Sequence, residues 1–147
     1  MFSSYSIVYD DYVLNQWHHV CFERQRESGI VSFYVNGTLL SSHHDMGTNG
    51  SHPGGGIFLI GEEQDSRGGG FDFEQSFYGE FAHYNVWDYP LGATVIAELF
   101  ARRGGTENGN LISWPDVKNH PIVGDVRILR PSELFQPTGL WLYICAF

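Results

Sequence analysis

The sequence predicts an all-β protein: a two-sheet, antiparallel jelly-roll sandwich with one short helix, lacking its N-terminal strands. Three observations predict it. Short runs of aromatic and β-branched residues recur along all 147 residues. Glycine-rich polar stretches separate them, and only one segment carries a helical apolar stripe. The length is that of one domain, and 42% apolar residues with 16% aromatics are enough for a core.

The elements follow in order. "QWHHVCFERQ" alternates in part and reads as a strand. "SGIVSFYVNGTLLSS" reads as a hairpin, because Asn36-Gly37 is the strongest short hairpin turn signal. His18 and His19 are adjacent, so in a strand they face opposite ways, one to the core and one to the surface. Residues 41–55 are polar and glycine-rich and read as a loop holding His43, His44 and His52, most simply surface histidines. "GIFLIG" reads as a short buried strand, and "SFYGEFAHYNVWD" as another. "LGATVIAELFARRGG" is the helix: Ile96, Leu99 and Phe100 form its stripe, Arg102 and Arg103 suit its last turn, and Gly104 ends it. "GNLISW" and "HPIVGDVRIL" read as two further strands. Trp17, Trp87 and Trp114 read as core. Residues 1–137 form the expected domain. Residues 138–147, with "GLWLYICAF", form an apolar tail that is either a packed strand, the start of a longer segment, or an extension without a role.

Charge excludes one class of partner. A formal net charge of −9 argues against nucleic acid, whose phosphates need a basic surface. The opening residues have no leader pattern, and no run reaches the ~20 apolar residues of a membrane span. Two cysteines, Cys21 and Cys145, are too few for a cysteine zinc site.

The stretch "GEEQDSRGGGFDFEQSFYGE", residues 61–80, carries the chemistry. Glu63 and Asp65 are spaced to share one strand face, with the carbonyl of Gln64 between them. Gly68, Gly69 and Gly70 let the chain turn back and return Asp72 and Gln75 to the same place. Three carboxylates, one amide oxygen and one carbonyl are hard donors. They select calcium, which takes roughly 6–8 oxygens in a flexible shell, over zinc or copper. The alternative from composition alone is a solvated acidic turn. A phosphate cradle lacks its lysine, and the spacing is not that of an EF-hand.

The order "HVC", "SGIVSFYVNG", "LIGEEQDSRGGGFDFEQSFYGEF", "NVWD", "GNLISW" resembles the pentraxin family, from about Trp17 to about Arg130. The resemblance implies a secreted, extracellular, lectin-like recognition protein of innate immunity that binds up to two calcium ions. It implies that Glu63, the Gln64 carbonyl and Asp65 are calcium ligands, with Glu63 and Asp65 bridging two ions, and that Asp72 and Gln75 serve mainly the second. Ligands that are exposed phosphorylated, glycan or protein groups would be held through calcium, and the chain would form a homo-oligomer, a pentamer in the short family members. Departures accompany it. Asp72 stands where the family usually has Glu, and "FERQ" follows Cys21 where the family has Ser or Thr and then Trp. The family's N-terminal third has no counterpart, so the first calcium site is incomplete in this chain. The cysteine that pairs with the one matching Cys21 also lies in that third. Cys21 is therefore implied to be half of a disulfide, and pairing with Cys145 stays open.

Asn36 and Asn49 begin glycosylation sequons. Asn36 is also explained as a turn residue, so Asn49 is the better acceptor. Two other functions stand against calcium-dependent recognition. A metal-free laminin-G-like adhesion domain of a larger extracellular or receptor protein shares the "WHHVCFE" and "VNG" features but gives Asp72 and Gln75 no role. A jelly-roll glycosidase would use Glu63 and Asp65 as its carboxylate pair, but these acids crowd an open glycine loop rather than a cleft that raises a pKa. The chain is read as not an enzyme.

Overall fold

A computed structural model describes residues 17–44, 55–103, 107–129 and the backbone of 140–144. The strands are β1 (His19–Gln25), β2 (Ile30–Val35), β3 (Thr38–His44), β4 (Phe81–Ala82) and β5 (Leu140–Ile144). Among the described residues they form one five-stranded sheet in the order β3-β2-β1-β5-β4, which does not close on itself. Strands thus predominate, with one helix longer than a turn or so, α1 (Gly92–Ala101), and a short α2 (Trp114–Val117).

β1, β2 and β3 are an antiparallel meander. The β2–β3 turn is the one expected: Asn36 and Gly37 both have positive φ, 50° and 76°. Asn36 also accepts a hydrogen bond from the His19 backbone N–H through Oδ1 at 3.0 Å, which ties the turn to β1. Gly37 is required twice over. Its φ favours glycine, and a Cβ there would lie 3.1 Å from Phe100 Cβ and 3.2 Å from Ala97 Cα of α1.

The tail residues 140–144 take the packed-strand course. β5 runs parallel to β1, with His19 opposite Trp141 and Phe22 opposite Ile144, and parallel to β4, with Phe81 opposite Leu140. Among the described residues it is the only link in the sheet between β4 and the meander. Cys21 is disulfide-bonded and fully buried. Cys145, the other cysteine, lies outside the described residues, as does Asn49.

Alternation along β1 turns His19, Cys21 and Glu23 to one face, and α1 packs there. Cys21, Tyr34, Tyr84, Val86, Trp87, Ile96 and Leu99 form the core, so two of the three expected helix positions are inside. Phe100 is partly exposed and stacks on His19 at 5.9 Å between ring centres. Of the three tryptophans expected in the core, Trp17 and Trp114 are half-buried and Trp87 alone is fully inside. Glu23 is 1% exposed, and its Oε2 accepts from the Gly92 N–H at 2.6 Å. A carboxylate placed there satisfies an otherwise unpaired N–H and meets the positive end of the helix dipole.

His19 is the buried member of the histidine pair, at 2% exposure, and His18 is half-buried. Burial pushes the His19 pKa down from 6.5 to about 4, and burial also lowers that of His83. The unfolded chain therefore binds more protons between these values, and stability falls as pH drops from 6.5 towards 4. A tenfold difference in proton affinity between the folded and unfolded chain is worth about 1.4 kcal/mol, so His19 alone accounts for a loss of up to ~3 kcal/mol. Melting temperature measured from pH 7 to pH 5 should fall, and His19→Leu should flatten that slope, leaving the smaller part due to His83. An equal slope in His19→Leu would disprove the assignment.

Three expected strands do not form. Residues 56–61 are irregular, with Ile57 and Phe58 exposed and φ positive at Gly55 and Gly61. Side chains of the acidic loop, rather than a neighbouring strand, take up the backbone carbonyls there. Residues 121–129 have no ladder among the described residues. Pro121 lacks an N–H, Gly124 turns to φ 88°, and Val123 and Ile128 are exposed. "GNLISW" contributes a single bridge, Ile112 to Val86. Of the long expected strand at 76–88, only Phe81–Ala82 pairs in the sheet. His43 and His44 belong to the end of β3 rather than to the loop, and they face opposite ways.

What replaces a ladder after β4 is a side chain. Asn85 is 1% exposed. Its Oδ1 accepts from the N–H groups of Gly109 and Trp114, both at 3.0 Å, and its Nδ2 donates to the His83 carbonyl at 2.9 Å. One amide thereby joins three backbone segments. Beside it, Asn110 Nδ2 donates to Asp88 and the Asp88 N–H donates back to Asn110 Oδ1, at 2.6 and 3.1 Å.

Candidate functional site: an oxygen-rich loop

The acidic stretch folds as a double turn. Ser66 and Gly69 exchange backbone hydrogen bonds at 3.1 and 3.0 Å, which closes the tip. Gly70 follows at φ 73°, and a Cβ there would lie 2.9 Å from Asp65 Cβ. The returning chain therefore touches the outgoing one at Asp65, and a side chain at 70 would force them apart.

The Gln64 side chain braces this tip. Its Nε2 donates to the Ile57 carbonyl and its Oε1 accepts from the Gly68 N–H, both at 2.8 Å. The side chain is thus structural, which leaves its carbonyl as the group available for binding. Asp72 caps the 3-10 turn Phe73–Gln75 by accepting from the Glu74 N–H at 3.0 Å. One Asp72 oxygen is used in that way.

Two bonds clasp the limbs together. The Phe77 N–H donates to the Gly61 carbonyl at 2.9 Å, and the Ser76 hydroxyl donates to Glu62 Oε2 at 2.6 Å. Glu63 and Gln75, each next to a clasped residue, are brought to adjoining limbs. Sequence reasoning passed over Glu62 and Ser76; their signal was position, immediately flanking Glu63 and Gln75.

Glu63, Asp65, Asp72 and Gln75 are all exposed. Among the described residues, no three His, Cys, Asp or Glu side chains converge so as to hold a metal ion. Glu63, Asp65 and Asp72 therefore lie along one loop but are not drawn to one point. The donor set still suits a hard cation, since every candidate is an oxygen. Glu62 Oε1 is buried with no hydrogen-bond partner among the described residues, an anionic atom for which a cation would compensate. Phe71, Phe73 and Tyr78 stand exposed on the returning limb, with Phe73 and Tyr78 edge-to-face at 5.7 Å.

A strand-rich module with one packed helix and an oxygen-rich loop defines a lectin-like class of fold. The Pentaxin family model matches residues 3–131. Human Neuronal pentraxin-1 is 34% identical over 107 residues, covering 71% of this chain and 25% of that protein. Human Pentraxin-related protein PTX3 is 36% identical over 107 residues, covering 69% and 27%. The native heptameric SAP-like pentraxin from Limulus polyphemus matches with a TM-score of 0.54 and 27% identity, over 63% of this chain and 43% of that one. The chain belongs to the pentraxin family. It spans about a quarter of the length of those curated relatives. No helix among the described residues is long and apolar enough to cross a membrane.

Proposed function

We propose that this chain is a calcium-dependent recognition module of extracellular proteins, with the loop 61–80 as its metal site. Family membership supports a pentraxin-type recognition role. The observation that carries the calcium reading is the clasp of Gly61 and Glu62 to Phe77 and Ser76, which sets Glu63 beside the limb of Gln75. In this reading Glu63, the Gln64 carbonyl and Asp65 form the shared edge of two sites, and Asp72 and Gln75 complete the second. Bound calcium would supply a positive centre for an oxygen of the ligand. The protein's own part is to hold the tip with Gln64, to keep Asp65 and Gly70 in contact, and to present the carboxylates to solvent. Cys21 is the family-type disulfide position, Asn49 is a better sugar acceptor than the engaged Asn36, and self-assembly follows the family pattern.

Thermal unfolding followed by circular dichroism, with calcium and then with excess EDTA, tests this. Calcium at about 100 times its Kd should stabilise the native chain by ~2.7 kcal/mol, because a ligand of the folded state alone raises stability. A cooperative transition that calcium does not move would refute the metal site and favour the metal-free adhesion reading.

A further inference from the structure

We propose that Cys145 is the disulfide partner of Cys21, and that this bond latches β5 into the sheet beside β1. The inference is independent of the calcium reading. Cys21 is disulfide-bonded, fully buried and part of the core. The chain holds two cysteines, so the bond of Cys21 closes on Cys145. The pairing implied by the family resemblance cannot form within this chain, because no cysteine precedes Cys21. The sheet register fits the new bond. β5 runs parallel to β1, with Tyr143 opposite Cys21 and Ile144 opposite Phe22. Cys145 follows Ile144 directly in the chain. The ladder thus leads to within one residue of Cys145 alongside Phe22, the neighbour of Cys21. A disulfide needs Cα atoms about 4.4–6.8 Å apart, a reach that adjacent strands provide.

The hold of the sheet on β5 gives the bond its purpose. β5 joins β1 through four residue pairs and β4 through two, all of them parallel. Parallel pairing is slightly less stable per residue than antiparallel pairing. The partners of β5 in β1 also lie more than a hundred residues earlier, so their meeting costs loop-closure entropy. A cross-link over such a span removes that freedom from the unfolded chain. The β1–β2–β3 meander pairs neighbouring segments and has no such need. The bond therefore governs β5 more than the meander. It forms by exchange with a small dialkyl disulfide of the glutathione class. One protein thiolate attacks that disulfide and releases one small thiol; the other then attacks the mixed disulfide and releases the second. The protein loses two protons and two electrons, and the small disulfide takes up both as two thiols. A dithiol reductant reverses the sequence.

The test begins with the full chain, denatured and alkylated without reduction, then cut with trypsin. Residues 1–24 and 128–147 should emerge as one cross-linked species that dithiothreitol splits, since Arg24 and Arg127 are the cut sites before and after and Arg130 is shielded by Pro131. Amide exchange is then followed in the folded protein with and without dithiothreitol. Reduction should speed exchange in residues 140–144 about tenfold or more while the β2–β3 ladder stays protected, because local opening need not unfold the rest. Cys145→Ser should melt roughly 10 °C below the oxidised wild type and level with the reduced one. An alkylated Cys145 in the unreduced digest, or a cross-link between two copies of residues 1–24, would overturn the pairing. Equal exchange of residues 140–144 in the oxidised and reduced wild type would overturn the latch.

Discussion

Asn85→Ala should destabilise the protein by at least ~3 kcal/mol. The amide is buried and serves three backbone groups, the N–H groups of Gly109 and Trp114 and the carbonyl of His83. Alanine leaves all three without that partner, and each buried unsatisfied group costs roughly 1–3 kcal/mol. Domains of this size are stable by only about 5–15 kcal/mol, so the loss is a large share. Asn85→Asp separates the contributions, since it keeps both acceptor contacts, loses the donor to His83 and buries a charge. Chemical denaturation read by circular dichroism should place both variants well below wild type. An Asn85→Ala midpoint equal to wild type would show that other contacts hold residues 83–88 to 109–114.

Asp65→Asn should lower calcium affinity at least tenfold, equivalent to about 1.4 kcal/mol. Asp65 is the residue at which the two limbs touch, and in the proposed arrangement it serves both ions. Asparagine keeps the shape and one oxygen donor but removes the charge. In EDTA the same substitution should leave the melting temperature unchanged or slightly raised, because an exposed carboxylate among like charges contributes nothing favourable without a cation. Calorimetric titration of calcium checks the first statement and thermal unfolding the second. Unchanged calcium affinity would mean that the ligand set has been misassigned.

Features fixed by local chemistry were legible in the sequence. Asn36-Gly37 carries its own turn geometry, and the stripe of Ile96 and Leu99 marks a helix wherever it packs. The acids and glycines of 61–80 announced a special loop, although their order became meaningful only through family resemblance. Features that depend on a distant partner were not legible. "GIFLIG" and "HPIVGDVRIL" have strand composition, but a strand exists only beside a neighbour, and neither has one among the described residues. Glu23 and Asn85 look like solvent-facing polar residues within apolar runs. Their burial is decided by Gly92, Gly109 and Trp114, which lie 69, 24 and 29 residues away.

The place of β5 sets a timetable for folding. The strand lies between β1 and β4, yet it is made after both. As the chain leaves the ribosome, the β1–β2–β3 meander can form from neighbouring residues, with one edge of β1 open. Among the described residues, β4 has no strand to join until β5 arrives. The sheet is therefore completed by a closure spanning more than a hundred residues, and such distant pairings form slowly. For that interval the edge of β1 offers unpaired backbone groups to any extended segment nearby, including the β5 of another nascent copy.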